Sequence, residues 1–469
     1  MSRSRAPVPM AFAAALTLIG SSSRADDLWQ VYLRALASDP TYAAASANYR
    51  AALEQKPIAR SAYLPQLGAS GQRQIQRSSG KVPLVFDPTT NSYIETDGRF
   101  RSYTTSYTVE ITQPVFDWSA WQSIRQANAT VAQAEANYVA AQQDLIVRTA
   151  TAYFDVITAR DTLAADRAAT RANQIELERT KARFAAGSGT ITDVQNAQAT
   201  YDESVATEIG ARQSATNAEE GLRAITGDTV GALSEPSADM PLHGPDPESS
   251  RQWVETALRQ NPSLMAARAA ADAASRSVSI ERSGYYPTFS IVASHNFSHL
   301  DQYSTIQNLE VGQLQSIAGN SVSLQLNVPI YSGGAVRARV ARAQHQYTAA
   351  EDQVRFAERQ VEQETRTAYL GVLTGMSQVN ALRQSVQSNE TSLRSMETGL
   401  RIGTRTIVDV SLARQNLLAA QTGFVRSRDD YLMSLLRLKQ ASGQLSADDL
   451  KRMSGLLRAT VPPDDRVSP

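Results

Sequence analysis

The sequence has no cysteine. The chain therefore has no disulfide, no thiolate metal ligand, no cysteine nucleophile and no cysteine to carry a lipid at a mature N-terminus. It also has no excess of either charge, because 46 lysine and arginine residues balance 46 aspartate and glutamate residues. A neutral chain gives no electrostatic reason to expect nucleic acid as a partner. We predict that no acyl chain on cysteine anchors this protein and that nucleic acid is not a partner.

Motifs for catalysis or metal binding are also missing. There are only four histidines, and none stands with acidic residues in the helical spacing of a zinc site. His295 and His299 are four residues apart, but their region is predicted as strand and loop. No phosphate-binding glycine loop and no Gly-x-Ser-x-Gly turn occurs. We predict no enzyme, no metal and no cofactor, so that energy for any transport comes from a partner.

Long apolar runs are absent except near the N-terminus. There Arg3 and Arg5 precede the apolar stretch "MAFAAALTLIG", and small residues lead to a cleavage position after Ala25, as in a secretory signal. The apolar stretch is about half as long as the roughly twenty residues that a spanning helix needs. We predict a signal peptide over residues 1–25. The exported chain is then either soluble outside the cytoplasm or a membrane protein of the β-barrel kind.

The rest of the chain contains two copies of one pattern. "ALASDP" at 35–40 matches "ALRQNP" at 257–262, and "TAYFDV" at 151–156 matches "TAYLGV" at 367–372. A nearly constant spacing between matched segments indicates duplicated structure. We predict four parts: a first repeat over 26–227, a linker over 228–256, a second repeat over 257–443, and a C-terminal segment and tail over 444–469.

Two long stretches lack proline, between Pro114 and Pro236 and between Pro329 and Pro462. Both are rich in helix-favouring residues, and their apolar residues recur every three or four positions, as in coiled coils. In each repeat we predict one helix before the strands, followed by a long helix and a shorter one. The predicted ranges are 119–185 and 190–226, then 334–400 and 406–442. A helix over 119–185 would be about 100 Å long, which is too long for a compact domain.

Each repeat also has two segments that alternate with period two. The clearest has Val322, Leu324 and Leu326 on one face, with serine, glutamine and asparagine on the other. About nine residues of such alternation are typical of a tilted strand that crosses an outer membrane. Arg73 and His295 fall on the apolar face, and we place them at headgroup depth. The predicted strands are about 67–76, 102–113, 289–297 and 321–328.

Aromatic residues lie where the strands meet the helices. This is the position of the aromatic girdle of a membrane barrel, although the edge of a soluble sandwich can carry such residues too. The predicted membrane-interface residues are Trp118, Trp121, Tyr285, Tyr286 and Tyr331. Four strands cannot close a barrel, because spanning barrels begin at about eight strands. Two copies would give eight strands and a filled interior, whereas three would give twelve and room for a lumen.

Six motifs together resemble the TolC-type family of outer-membrane efflux and secretion channels. They are "YLPQLG" (63–68), "QPVFD" (113–117), "TATAYFDV" (149–156), "ITDVQNA" (191–197), "VPIYSGG" (328–334) and "GTRTIVDV" (403–410). The resemblance covers about residues 26–455. It implies an α+β membrane protein, a homotrimer whose twelve antiparallel strands form one barrel in outer-membrane lipid and whose helices form a coiled-coil tunnel in the periplasm. The linker near 228–250 and the C-terminal segment would form an equatorial collar.

The same resemblance implies a function and a location. Channels of this family carry small toxic compounds or polypeptides from an inner-membrane translocase, of the ABC, RND or MFS type, through a periplasmic adaptor to the exterior. The protein would lie in the outer membrane of a Gram-negative bacterium and extend into the periplasm. The alternative is a periplasmic structural coiled-coil protein without a pore, which accounts for the helices but not for the matched strands.

Each repeat carries one copy of a short turn, "GSGTITDV" at 187–194 and "GTRTIVDV" at 403–410. Thr190 with Asp193, and Thr406 with Asp409, fit a capping box in which threonine caps the helix and the acid bonds back to it. Gly187 and Gly403 would end the preceding helices in a left-handed conformation. Both turns are therefore predicted to be the tips of helical hairpins.

One residue at the tips is not explained by capping. Arg405 stands where the first copy has Gly189. The resemblance implies that Arg405 reaches Asp193, beside Thr192, and so forms a gating latch, while Asp409 contributes an acidic ring in the lumen. The alternative is a solvated arginine on a loop. Leu400 and Leu412 replace a tyrosine and an acid of the family pattern, which implies a closed state with fewer polar links and a weaker ring.

Overall fold

The computed structural model describes residues 26–237, 239–306 and 309–459. The predicted signal peptide and the end of the predicted tail, residues 460–469, lie outside the described residues. The helices are α1 Leu28–Ser38, α2 Pro40–Leu53, α3 Gln55–Ser61, α4 Trp118–Ala185, α5 Ile191–Thr226, α6 Ser250–Gln260, α7 Pro262–Arg282, α8 Ala335–Arg401, α9 Ile407–Ala441 and α10 Ala447–Ser454. The strands are β1 Gln66–Asp87, β2 Ser92–Phe116, β3 Ser234–Pro236, β4 Thr288–Ile306, β5 Leu309–Asn327 and β6 Leu457–Ala459.

Two long helical hairpins dominate the fold, α4 with α5 and α8 with α9. Helix α4 has 68 residues and α8 has 67, which corresponds to about 100 Å each. The predicted range 119–185 differs from α4 by one residue at its start, and 334–400 differs from α8 by one residue at each end. Among the described residues, no helix is long and apolar enough to cross a membrane.

The single helix predicted before the strands of each repeat is wrong, because the chain divides there. In the first repeat Pro40 begins α2, and the Asp39 side chain accepts a hydrogen bond of 2.7 Å from the Tyr42 amide. In the second repeat Pro262 begins α7 in the same way, after Asn261. Proline cannot continue a preceding helix but fits the first turn of a new one.

The start of the second repeat is also corrected, since α6 begins at Ser250, inside the predicted linker 228–256. Trp253 and Val254 of this helix are buried. The predicted C-terminal segment likewise contains α10 and β6. Strand β6 pairs with β3 of the linker, so the two segments expected to form a collar do meet. Tyr153 of α4 anchors them, because its hydroxyl donates a hydrogen bond of 2.7 Å to the Ser234 carbonyl.

The four long strands form one antiparallel sheet in the order β1-β2-β4-β5. They have 22, 25, 19 and 19 residues, so the predicted strands of about 8 to 12 residues are too short. The reason is that the halves of the strands farther from the helices carry polar residues on both faces. The period-two pattern is therefore not visible there. The backbone ladder continues nevertheless, because it needs no apolar side chains. Within the described chain, β1 and β5 each pair on one side only.

Candidate functional site

The two hairpin tips have the same backbone-capping geometry. In the first, the Asp193 carboxylate accepts hydrogen bonds from the Thr190 amide (3.1 Å) and hydroxyl (2.8 Å). In the second, Asp409 accepts the same two bonds from Thr406, both 2.9 Å long. The amide of each aspartate donates back to the threonine hydroxyl, which completes a capping box. The predicted caps are therefore present at both tips.

A left-handed glycine ends the helix before each cap. Gly187 has φ +74° and Gly403 has φ +79°, a conformation that favours glycine. In each tip, the residue after this glycine donates a hydrogen bond to a carbonyl five residues earlier: Ser188 to Arg183 (3.0 Å) and Thr404 to Gly399 (2.9 Å). These bonds satisfy carbonyls that the helix end leaves free.

The structure explains why Arg405 and Gly189 occupy equivalent positions. Each tip brings two residues six apart into contact, 183 with 189 and 399 with 405. A Cβ added at Gly189 would lie 3.5 Å from the Arg183 Cβ and 3.2 Å from the Phe184 nitrogen. A Cβ added at Gly399 would lie only 2.6 Å from the Arg405 Cγ. Each tip therefore pairs one arginine with one glycine, and the two copies do so in opposite order.

Because the order of arginine and glycine is opposite in the two tips, Arg183 and Arg405 make different contacts. Arg183 extends back along its own helix, where its Nη2 donates to Glu176 Oε1 (3.0 Å) and to Thr180 Oγ1 (3.1 Å). Arg405 is exposed and makes no ion pair or side-chain hydrogen bond with any described residue of the chain. Gly399 was not predicted from the sequence, although Arg183 and Gly399 occupy equivalent positions in the two repeats, as Gly189 and Arg405 do.

The chain itself does not bring Arg405 to Asp193. Asp193 lines a cavity of about 180 Å³ together with Leu400, Val408 and Leu412 of the second tip. Arg405 lines a separate groove on the other side of that tip, along the last turns of α8. The cavity between the two tips of one chain is lined by both apolar and polar residues: Leu400 and Leu412 belong to it, and so do Glu176 and Arg414. Thr192 is exposed on the first turn of α5.

Both capping carboxylates are held in the charged state. Hydrogen bonds from the Thr190 hydroxyl and amide lower the pKa of Asp193, and the charge of Arg183 lowers it further. Hydrogen bonds from the Thr406 amide and hydroxyl lower the pKa of Asp409, with a contribution from Arg405. A lowered folded-state pKa means that the caps contribute stability above the ordinary carboxylate pKa and lose it only as pH falls through the lowered value. Asp193 is therefore available as an anion at neutral pH.

The predicted interface aromatics lie where the sheet joins the long helices. The Trp118 and Trp121 rings are 5.3 Å apart, and Tyr286 meets Trp118 edge-on at 6.3 Å. The Arg125 guanidinium lies 4.6 Å from the centre of the Trp121 ring. Tyr285 and Tyr331 are exposed, Tyr331 almost completely. The cluster brings together residues from both repeats at one end of the sheet.

Long paired helical hairpins attached to a four-stranded antiparallel sheet are the fold that this chain shares with the outer membrane protein VceC of Vibrio cholerae and with the outer membrane channel CmeC of Campylobacter jejuni. The VceC structure matches with a TM-score of 0.67 at 20% identity, over 89% of this chain and 96% of that chain. The CmeC structure matches with a TM-score of 0.69 at 17% identity, over 97% and 98%. At these identities the likeness establishes the fold.

Sequence comparison identifies the family. The model of the outer membrane efflux protein family matches residues 31–228 and 253–444, one block in each repeat. TolC of Escherichia coli is 33% identical over 97% of this chain and 90% of its own. The alkaline protease secretion protein AprF of Pseudomonas aeruginosa is 28% identical over 94% and 89%. The chain belongs to the outer membrane efflux protein family.

The predicted function, an outer-membrane exit duct for efflux or type I secretion, is confirmed, and so is the predicted location in a Gram-negative outer membrane. These relatives are channel and secretion proteins rather than enzymes, in agreement with the non-enzyme prediction. They favour the duct over the structural coiled-coil protein without a pore.

Proposed function

We propose that three copies of the chain form one duct, with a shared twelve-stranded barrel in the membrane and a helical tunnel in the periplasm. The unpaired edges of β1 and β5 carry this proposal. In lipid an unpaired strand edge leaves backbone groups without partners, so β1 of one copy must pair with β5 of another. Three copies close a ring wide enough for a lumen, whereas eight strands leave an interior filled by side chains.

The two faces of the sheet suit such a barrel. One face is apolar near the helices; the exposed Val322, Leu324 and Leu326 lie on it. The opposite face carries serine, threonine, glutamine and asparagine along all four strands. A lipid-facing apolar surface around a polar lumen is the pattern of outer-membrane barrels.

The periplasmic end of the duct is the proposed gate. Asp193 is charged, and Arg405 lies exposed on the side of its tip that faces away from Asp193 of the same chain. In a ring of six tips, Arg405 of one copy then meets Asp193 and Thr192 of the next and holds the mouth closed through charge-assisted contacts. Asp409 of the three copies forms the acidic ring, although its carboxylate is already shared with the cap.

The duct receives its cargo from partners. An inner-membrane translocase of the ABC, RND or MFS type supplies energy, and a periplasmic adaptor docks at the tips. Small toxic compounds and polypeptides are both proposed as cargo, since the relatives include an efflux protein and a protease secretion protein. Leu400 and Leu412 leave Arg405 as the main polar link, so we propose a gate that an adaptor opens easily.

The assembly is tested by the mass of the purified protein. The protein extracted in detergent from outer membranes is expected to have three times the mass of the mature chain by native mass spectrometry, and to dissociate on heating. An elongated monomer in the soluble fraction would contradict the duct and support the structural alternative. A stable dimer would contradict the twelve-stranded barrel.

A further inference from the structure

Four arginines stand together on the apolar face of the sheet, at the end away from the helices. We call Arg73, Arg77, Arg99 and Arg101 the arginine cluster. Arg77 lies directly opposite Arg101 in the ladder between β1 and β2, so the two side chains leave the same face. Side chains of directly opposite residues have Cβ atoms about 4.5 to 5.5 Å apart, and like charges there are destabilising. Arg99 is the diagonal neighbour of Arg77, within about 8 Å.

The register of the strands shows where the arginine cluster lies relative to the apolar band of the sheet. On the same face of β5, both Leu324 and Leu314 are strongly exposed, and the residues between them are Val322 and Ala318, which are apolar, and Asn320 and Ser316, which are polar. Ten residues of a strand tilted by about 40° rise about 25 Å, which is the height of the apolar band of an outer-membrane barrel. The row that contains Arg77, Arg101 and Tyr303 lies one pleat beyond Leu314. Arg77 and Arg101 therefore stand just outside the band, at headgroup depth.

The leaflet follows from the connections of the sheet. The helices join the strands at the lower end of the band, and the hairpins β1–β2 and β4–β5 turn at the upper end. Because the helices lie in the periplasm, the upper end of the apolar band lies in the outer leaflet. Arg73 lies four residues below Arg77, near the top of the band, from which a long arginine side chain can extend its charge upward.

Several other polar groups on this face have partners within the sheet, but the four arginines do not. His295 Nδ1 lies 2.6 Å from Asn320 Oδ1, and His299 Nδ1 lies 2.7 Å from Ser316 Oγ. Lys81, farther along β1, forms an ion pair with Glu95 at 3.8 Å. None of the four arginines makes an ion pair or side-chain hydrogen bond with a residue that the structure describes. Asp97 and Glu310 on this face also make no ion pair with a described residue, but they lie in the row of Arg99 or beyond it. The four arginines are therefore the unpaired cations closest to the apolar band.

We propose that the arginine cluster binds the phosphate groups of lipopolysaccharide, the phosphorylated glycolipid of the outer leaflet. Guanidinium groups bind phosphate through two parallel hydrogen bonds, and an anion between Arg77 and Arg101 removes the repulsion between them. The proposal rests on the barrel and orientation given above. It assigns the cluster a stabilising role for the membrane-embedded trimer that is independent of the gate.

The test compares purified trimers in neutral detergent with and without added lipid A. Diphosphoryl lipid A is expected to raise the temperature at which the native trimer dissociates, whereas dephosphorylated lipid A and inorganic phosphate are expected to leave it unchanged. The variant Arg77→Gln/Arg101→Gln should need at least about tenfold more diphosphoryl lipid A for the same rise, since two charged bidentate contacts are lost. The control Arg259→Gln/Arg359→Gln removes two exposed arginines of the helical part and should behave as the native protein.

Three outcomes would overturn the inference. One is an equal response of the Arg77→Gln/Arg101→Gln variant and the native trimer to lipid A. Another is an equal effect of inorganic phosphate. The third concerns Glu310, the acid on the same face of β5 that a neighbouring copy could bring to β1; if Glu310→Gln destabilises lipid-free trimers as the double variant does, the arginines pair between copies instead. Failure to form trimers at all would refute the proposed function rather than this lipid site.

Discussion

Replacing Arg405 with alanine is expected to raise the single-channel conductance of the protein in planar bilayers several-fold. The reason is that, in the proposed trimer, Arg405 is the main polar link between copies, since Leu400 and Leu412 stand where the family pattern has a tyrosine and an acid. In the proposed trimer each ion pair between Arg405 and Asp193 is exposed and therefore weak, but the substitution removes all three pairs at once. Loss of these contacts shifts the mouth toward its open state.

The control for this prediction is Arg401→Ala. Arg401 is also exposed, ends α8 at the same tip and carries the same charge. Its removal should leave the conductance as it is in the native channel. An unchanged conductance in Arg405→Ala would contradict the latch, and an equal rise in both variants would indicate a general effect of charge at the mouth.

Exchanging the residues of the Gly399–Arg405 pair is expected to open the gate without disturbing the fold. The variant Gly399→Arg/Arg405→Gly reproduces the order that the first tip already has, with arginine at the helix end and glycine in the turn. Its trimer should therefore dissociate at the native temperature, while its conductance rises as in Arg405→Ala. The mirrored exchange in the first tip, Arg183→Gly/Gly189→Arg, is the folding control.

Single substitutions at Gly399 and Arg405 test whether the side chains at these two positions would occupy the same space. Gly399→Ala places a Cβ 2.6 Å from the Arg405 Cγ, so the arginine must move. Overpacking of this kind costs about 1 to 3 kcal/mol. Adding Arg405→Gly to Gly399→Ala should recover the lost stability, because the second change removes the clash. Independent, additive effects of the two changes would contradict the shared space.

The long helices could be predicted because their signals are local. Proline is absent for over a hundred residues in each repeat, and the capping threonines and the glycines before them mark the tips of both hairpins. The strand ends could not be predicted in this way, because alternation is visible only where one face is apolar and the other polar. Beyond Arg77 the sequence no longer alternates, as in "SSGKVPLVFD" at 78–87, yet the ladder continues to Asp87 and Ser92.

The site was predicted in part for a similar reason. The capping boxes are three-residue patterns, and the sequence shows them directly. The contact between Gly399 and Arg405 is made across the turn, so a comparison of Arg405 with Gly189 alone does not reveal it. The cavity between the tips is lined by residues of α4, α5, α8 and α9, and no local pattern records how these helices meet. The sequence also placed Arg73 at headgroup depth but did not connect it with Arg77, Arg99 and Arg101.

The central claim is that Arg405 of one copy meets Asp193 of the next, and a thiol crosslink tests it most directly. The chain has no cysteine, so Asp193→Cys/Arg405→Cys introduces the only two thiols. A short bismaleimide is expected to yield covalent trimers on a denaturing gel. Asp193→Cys/Leu400→Cys, whose two positions line one cavity within the chain, should give a crosslink at monomer mass. Monomer-mass products alone from the Asp193 and Arg405 pair, with both thiols reactive, would contradict the claim.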